Sequence, residues 1–414
     1  MRVQTEPMRV GVLGFALSPT RYSEVAAADK GMPTQTQNFG VSLIQALRAG
    51  GAVPFMVSVA PAASFPNNSR LTFRARRYSH DGVSFLELPF INLTAAKHLT
   101  RFISAVALGL PTLRREGCEV LLIHGVHSPF LAAGLVLKQL LSVPCTVVLT
   151  DPPNVPHSLD TRVTLFLKRI DEFIIRALLS HFDAAVVLTD ALGVDFVPKI
   201  PRFTMEGIAP DLSEPHIEPQ EPTPPFFDRK VSRPEVVYAG GVSEQYGVRL
   251  LLDAERKSEG AFHLTVFGKG PLVQSVRAAE ASGAQVTYGG VLSPPELQIA
   301  YQRADILVNP RPIHQDFVRY SFPSKLIEYM LSGKPVLTTR LPAIPMEYFR
   351  FLFSSNDTPE DIAMAIQMIS SDPRAAQTRA LAGQAFLREE KSVRAQGDKL
   401  VKFLRRLIRR DKQA

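Results

Sequence analysis

From Arg9 onward, short continuous apolar runs alternate with longer segments whose apolar residues recur every three or four positions. The first run, VGVLGF, reads as a buried strand; a long polar loop then leads to a helix from about 38 to 49 and a strand near 54 to 59. Further strands are expected at about 120–124, 145–150 and 184–188, with helical stretches between them. Such strand–helix alternation is the signature of a parallel sheet.

Between 201 and 225 the pattern fails. Pro201, Pro210, Pro215, Pro219, Pro222, Pro224 and Pro225 stand among acidic residues with little periodicity, which predicts an interdomain linker over 211–232. A second series then starts afresh: VVYAGG, a helix at 248–256, HLTVFGKG, a helix at 272–281, QVTYGG, a helix at 294–304 and DILVNP, closed by one more helix and strand before 340. With 414 residues the chain exceeds one ordinary core. The expected organisation is an N-terminal Rossmann-like domain over 1–210, the linker, a C-terminal Rossmann-like domain over 233–385 and a basic amphipathic helix over 386–414. Two doubly wound α/β domains facing each other leave a cleft, and ligands in such sheets bind beyond the C-terminal ends of the strands.

Charge adds a class of partner. Lys and Arg number 47 against 39 Asp and Glu, for +8 and a pI near 9.5, which points to nucleic acid, nucleotide phosphates or an anionic membrane surface. The positive charge concentrates at the C-terminus, where Leu400, Phe403, Leu404, Leu407 and Ile408 form one stripe among Lys399, Lys402, Arg405, Arg406, Arg409, Arg410 and Lys412. Such a helix either lies on anionic lipid or packs by its stripe with the basic face in water. No nucleic-acid recognition module accompanies it. Cys118 and Cys145 adjoin apolar runs and read as buried free thiols of a reducing compartment. The N-terminal apolar run is too short for a signal peptide, and the apolar region 120–150 is broken by His124, His127, Ser128, Lys138 and Gln139. The expectation is a cytoplasmic protein, soluble or peripheral on the inner face of the membrane.

Candidate chemistry centres on 320–335, YSFPSKLIEYMLSGKP. Pro323 and Ser324 mark a helix start, Glu328 sits one turn inside, and Gly333 and Pro335 stop the helix before an apolar strand at 336–339. Backbone N–H groups at such an end attract anions, the dipole adds about 0.3–1 kcal/mol, and Lys325 adds a full charge. A phosphate fits there, with Glu328 near enough to bond the hydroxyls of an attached ribose; on these residues alone a plain capped helix is the alternative. Three strands end in glycines, Gly240 and Gly241, Gly268 and Gly270, Gly289 and Gly290, which let backbone approach one ligand from several sides. No GxGxxG occurs, and GVLG at 11–14 lacks the dinucleotide spacing, which disfavours nicotinamide and flavin enzymes. In the first half, His127 follows a strand in HGVHSP. Asp151 follows CTVVLT, placed for acceptor binding or base catalysis, or merely starting the turn before Pro152 and Pro153.

The segments YAGGVSEQYGVRLLLDA, VFGKGP, YGGVLSPPELQIAYQRADILVNPR and YSFPSKLIEYMLSGKPVLTT span 236–348 in order. They resemble GT-B glycosyltransferases of the large retaining family 4 (glycosyltransferase group 1), especially bacterial exopolysaccharide-type members. LLIHGVHSPF, VVLTDPPNVP, FDAAVVLT and MEGIAPD match more loosely. The resemblance implies a nucleotide-sugar donor held by the second domain and an acceptor received by the first. Glu328 takes the position of the family's second glutamate, on the donor ribose. Ser324, Lys325 and the loop at Gly240 and Gly241 take positions around the diphosphate, and Gly268 and Gly270 count among the donor-binding residues. Val291 falls where backbone meets the base, Arg311 adds a cation facing the phosphates, and His127 aligns with a histidine close to the transferred sugar. Two positions depart from the pattern: the first glutamate of E-x7-E falls on Tyr320, and the common phosphate-binding lysine at or near Tyr246.

The chain is thus expected to move a hexose-type sugar from a nucleotide-sugar donor to a lipid-linked or saccharide acceptor, in cell-surface polysaccharide or glycolipid synthesis. Lacking a DxD suited to hold Mg²⁺, it is expected to do so without a metal or other cofactor. The alternatives are a sugar-nucleotide epimerase of the same fold and a non-catalytic nucleotide-sugar-binding subunit of a polysaccharide assembly machine.

Overall fold

The computed structural model describes residues 6–29, 34–153, 161–210 and 233–411; the expected linker at 211–232 lies outside them. The chain divides into two units, Met1–Ile208 with Val393–Ala414, and Ala209–Ser392.

The first unit runs β1 (Arg9–Gly14), α1 (Pro19–Ala26), α2 (Thr34–Ala49), β2 (Val53–Ser58), β3 (Thr72–Phe73), β4 (Arg76–His80), β5 (Val83–Glu87), β6 (Phe90–Ile91), α3 (Thr94–Arg115), β7 (Val120–His124), α4 (Ser128–Leu141), β8 (Cys145–Leu149), α5 (Arg162–Leu179), β9 (Ala184–Val187), α6 (Asp190–Phe196) and β10 (Arg202–Thr204). Its main sheet has the order β10-β9-β8-β7-β1-β2-β5-β4. Every pairing is parallel except β4 with β5, which turns through Asp81 and Gly82, both at positive φ. That turn is the Asp-Gly hairpin signal, present in the sequence as HDGV. The apolar runs of β1, β7, β8 and β9 are buried throughout or nearly so, as a two-faced sheet requires.

The second unit runs β11 (Glu235–Ala239), α7 (Val248–Lys257), β12 (His263–Phe267), α8 (Val273–Ala281), β13 (Val286–Gly290), α9 (Pro294–Arg303), β14 (Ile306–Asn309), α10 (Lys325–Leu331), β15 (Val336–Thr339), β16 (Phe353–Ser355), α11 (Pro359–Ser371) and α12 (Pro373–Glu390). All its strands are parallel, in the order β13-β12-β11-β14-β15-β16. The order reverses between β11 and β14, so the crevice that doubly wound sheets use for ligands lies at their C-terminal ends.

The last helix, α13 (Val393–Asp411), corrects one expectation and decides between two others. Its boundary moves from 386 to 393, because 386–390 complete α12 of the second unit. Its apolar stripe is not available to lipid: Leu400, Val401, Leu404 and Leu407 are buried in the core of the first unit with Leu43, Ile44 and Leu47 of α2. The helices meet backbone to backbone at Gly397, where a Cβ would fall 2.0 Å from the Ala46 carbonyl oxygen. Each buried leucine is worth about 1.5–3 kcal/mol in this packed setting. Transfer of the stripe to acyl chains would regain the burial but forfeit the packing.

Candidate functional site

At the C-terminal ends of β11 and β12, two loops are joined through their backbones. Gly240 N–H donates to Phe267 O at 3.0 Å, Val242 N–H to Lys269 O at 2.9 Å, and Gly268 N–H to Gly290 O at 2.7 Å. So close an approach leaves no room for side chains: at Gly268, with φ 128°, a Cβ would lie 1.9 Å from Gly240 O, and at Gly270 2.2 Å from Val242 O. Tyrosines tie the loops to the sheet. Tyr238 of β11 donates to Gly241 O at 2.8 Å and Tyr288 of β13 to Gly268 O at 2.7 Å. Tyr329, sealed inside α10, accepts from Ala239 N–H and donates back to Ala239 O. Burial pushes the phenols of Tyr238 and Tyr329 upward, so they stay protonated donors. These tyrosines escape sequence reading because they act through backbone, where no motif spacing marks them.

The 320–335 segment sits beside these loops in sequence order after β14. Ser324 has helical dihedrals and makes no side-chain cap, so α10 begins at Lys325 without the expected hydroxyl cap. Lys325 Nζ donates to Glu328 Oε2 at 2.8 Å, and Tyr301 of α9 reaches the same oxygen at 3.4 Å. Glu328 Oε1 has no hydrogen-bond partner among the described residues and the side chain is about 38% exposed, so one carboxylate oxygen remains for a ligand. Lys325 is therefore tied to the carboxylate it precedes, a geometry that holds both charges at the start of α10. Desolvation, then the neighbouring Glu328, push the Tyr301 phenol up.

Tyr246, where the resemblance expects lysine, lays its ring against Gly241. Arg311 is buried, its guanidinium 4.8 Å from the Phe317 ring centre and 5.7 Å from that of Tyr246, with Nη1 3.3 Å from Ser321 Oγ. It braces the loop that leads to Tyr320, whose half-buried ring lies under the Arg319 guanidinium at 4.9 Å. Val291, just past β13, is exposed. The second unit thus assembles Gly240, Gly241, Gly268, Gly270, Tyr246 and Arg311 around the β11 and β14 strand ends, with the Lys325–Glu328 pair at the helix that follows β14.

In the first unit, His127 and Asp151 follow the neighbouring strands β7 and β8. His127 precedes α4 and packs among Phe15, His98 and Phe130 at 4.9–5.3 Å between ring centres. Its Nδ1 is sealed without a hydrogen-bond partner among the described residues. Burial, reinforced by Arg101, holds the imidazole well below its usual range, hence neutral. His124 is fully enclosed against Phe39 and pushed down to about 4 by burial, a core histidine. Asp151 is exposed. Both cysteines are free; Cys145 is buried, and burial raises the Cys118 thiol to about 12.

Residues 233–372 match the sequence profile of the family described as Glycosyl transferases group 1. No curated protein sequence matches the chain. Among solved structures, sucrose-phosphate synthase from Thermosynechococcus elongatus is similar with a TM-score of 0.65 at 15% identity, covering 97% of this chain and 99% of that one. Anabaena HepE in complex with UDP-glucose gives 0.58 at 14%, over 96% and 100%. A glycosyltransferase from Rickettsia africae gives 0.62 at 12%, over 98% and 99%. The fold of this chain is that of GT-B glycosyltransferases, with two Rossmann-like domains, and its second unit carries the group 1 pattern.

Proposed function

We propose that this chain is a glycosyltransferase whose second unit holds a nucleotide-sugar donor and whose first unit receives a lipid-linked or saccharide acceptor for a hexose-type sugar. The observation that carries this reading is the switch point of the second sheet, where two backbone-stitched glycine loops stand at the strand ends and Glu328 offers a carboxylate oxygen one turn into α10. The complex of Anabaena HepE with UDP-glucose supports a donor of this class.

Glycosyl transfer places growing negative charge on the departing diphosphate as the sugar loses its leaving group. Amides of the glycine loops, Lys325 and the buried cation of Arg311 supply fixed positive charge for it, which lowers the barrier without reorganisation. Glu328 binds the ribose. His127, neutral and reaching solvent away from its sealed Nδ1, hydrogen-bonds sugar hydroxyls without donating as an imidazolium. Asp151 positions the acceptor hydroxyl.

Calorimetric titration with UDP-, GDP-, ADP- and dTDP-sugars, followed by transfer assays on membrane lipid extracts, tests this. One donor is expected to bind, with transfer unaltered by excess EDTA. Absence of binding by every donor sinks the reading. Binding without transfer favours a non-catalytic subunit, to which Tyr320 at the first-glutamate position lends weight, and isomerised donor without acceptor favours an epimerase.

We assign the contact with an anionic membrane surface to α5, since the stripe of α13 is occupied. Val163, Phe166, Leu167, Ile170, Phe173 and Ile174 fall on one side of α5 and are all exposed, Phe173 by 74%. Arg162 and Arg169, seven residues apart and exposed, border one edge of this stripe. An apolar face with a cationic border matches an anionic interface, each such cation adding about 1 kcal/mol near the leaflet. Flotation with phosphatidylglycerol-rich vesicles is expected to recover the wild type but not Phe166→Glu/Phe173→Glu. Equal recovery of both, or dimerisation of the wild type through this face in light scattering, overturns the assignment.

A further inference from the structure

Helix α3 carries two cations inward. Arg101 is 3% exposed and Lys97 is 7% exposed. Arg101 stacks on Phe90 at 4.4 Å and Phe15 at 5.3 Å, and its Nη2 donates to Ala60 O at 2.9 Å. Among the described residues its enclosed Nε has no hydrogen-bond partner, and neither has Nη1. Lys97 Nζ donates to Ala62 O and, at 3.5 Å, to Ser64 Oγ. Among the described residues no carboxylate acts on Arg101. The one that acts on Lys97, Asp29, has its Oδ2 committed to Ala63 N–H and Asn68 Nδ2.

Two enclosed cations that share a single nearby carboxylate, Asp29 beside Lys97, are a costly arrangement, since desolvation is recovered only through opposite charge. Desolvation lowers the Arg101 guanidinium to about 9 and, with Arg101 beside it, the Lys97 ammonium to about 8. Holding the 60–64 loop by its carbonyls requires no charge; a neutral amide donor serves equally. The cluster also has an opening. Phe15 and His127 beside Arg101 are half-buried, His98 stacked on His127 is exposed, and the 14-residue α4 starts at Ser128 with its positive dipole end beside them.

We infer that Arg101 and Lys97, beneath a rim of Phe15, His98 and His127, bind an anionic group, a phosphate or a carboxylate, carried by the acceptor. Only the identification of the ligand as acceptor rests on the glycosyltransferase reading; the anion site stands on the first unit by itself. The acceptor class is then an anionic one, a phosphate-bearing lipid carrier or a uronate-bearing saccharide, rather than a neutral sugar.

The test is titration of the full chain with sodium phosphate and, separately, with sodium acetate, followed through the imidazole resonances of His98 and His127 in nitrogen-edited NMR. Both rings belong to the first unit, and persistence of the shifts in Gly268→Ala, whose donor loops are parted, separates this site from anion binding at those loops. Saturable shifts at roughly millimolar phosphate or acetate are expected in the wild type. The binding should weaken at least tenfold in Arg101→Met and be partly retained in Arg101→Lys. The anion with the lower apparent Kd distinguishes phosphate from carboxylate. Unmoved resonances with both anions, or equal affinity in wild type and Arg101→Met, overturn the inference. Should Arg101→Met fail to fold, Lys97→Met carries the same comparison. Saturable anion binding in a chain that transfers no sugar would leave this site standing and remove the acceptor as its ligand.

Discussion

Glu328→Ala is expected to weaken donor binding by about 10- to 100-fold, the loss of one charge-assisted hydrogen bond at about 1.5–3 kcal/mol. The reason is local. Oε2 already holds Lys325 and Tyr301, whereas Oε1 is left for the ribose. Folding should change little, because an i,i+3 pair this exposed contributes at most about 0.5 kcal/mol. The discriminating measurement compares the donor with its 2′,3′-dideoxyribose analogue by calorimetry. Loss of the hydroxyls should cost the wild type affinity and leave Glu328→Ala nearly indifferent, while Glu328→Gln, which keeps shape but not charge, falls between. Equal affinity of wild type and Glu328→Ala for the full donor would remove the central assignment.

Gly268→Ala is expected to destabilise the second unit by about 3–5 kcal/mol and to abolish measurable donor binding. Two effects add. An L side chain at φ 128° is strained by about 1–3 kcal/mol, and its Cβ would meet Gly240 O at 1.9 Å, backbone against backbone. Relief requires parting the loops, which breaks the bonds from Gly240 N–H to Phe267 O and from Val242 N–H to Lys269 O. Gly283→Ala is the control, because Gly283 also has positive φ, 85°, but a Cβ there meets open space. Its cost should stay near 1 kcal/mol. Urea unfolding followed by hydrogen exchange in β11–β13 measures both, and a Gly268→Ala value within error of Gly283→Ala would show that the close approach is not what this loop depends on. The His98 and His127 resonances of the first unit should respond to anions in either variant.

Much of this was legible along the chain. The strands at 120–124 and 336–339 fall at the expected positions, because a run buried on both faces has only one place in a doubly wound sheet. Of the Pro-rich stretch at 201–225, residues 202–204 form the edge strand β10 instead of linker, and 211–225 lie outside the described residues. Ser324 shows the limit of local signals: Pro-Ser before an apolar run announces a helix, but Ser324, already in helical dihedrals, makes no side-chain cap. Tyr301 illustrates another, since its hydroxyl reaches Glu328 from a different helix across 27 positions. Arg101 and Lys97 were equally silent, for an inward cation on an amphipathic helix reads like an outward one until the packing of Phe15 and Phe90 is known.

The sequence by itself determined the two α/β series, the glycine strand ends and the helix that carries Lys325 and Glu328, because periodicity and turn chemistry act over a few residues. Only the tertiary structure decided which of two apolar stripes is spent. The stripe of α13 is more basic and closer to a membrane helix in pattern, yet Gly397 lets it close on Ala46 of α2, while that of α5 stays exposed. Amphipathicity says that a face must be covered; what covers it depends on which backbone can come near enough, and that is a property of elements more than 300 positions apart.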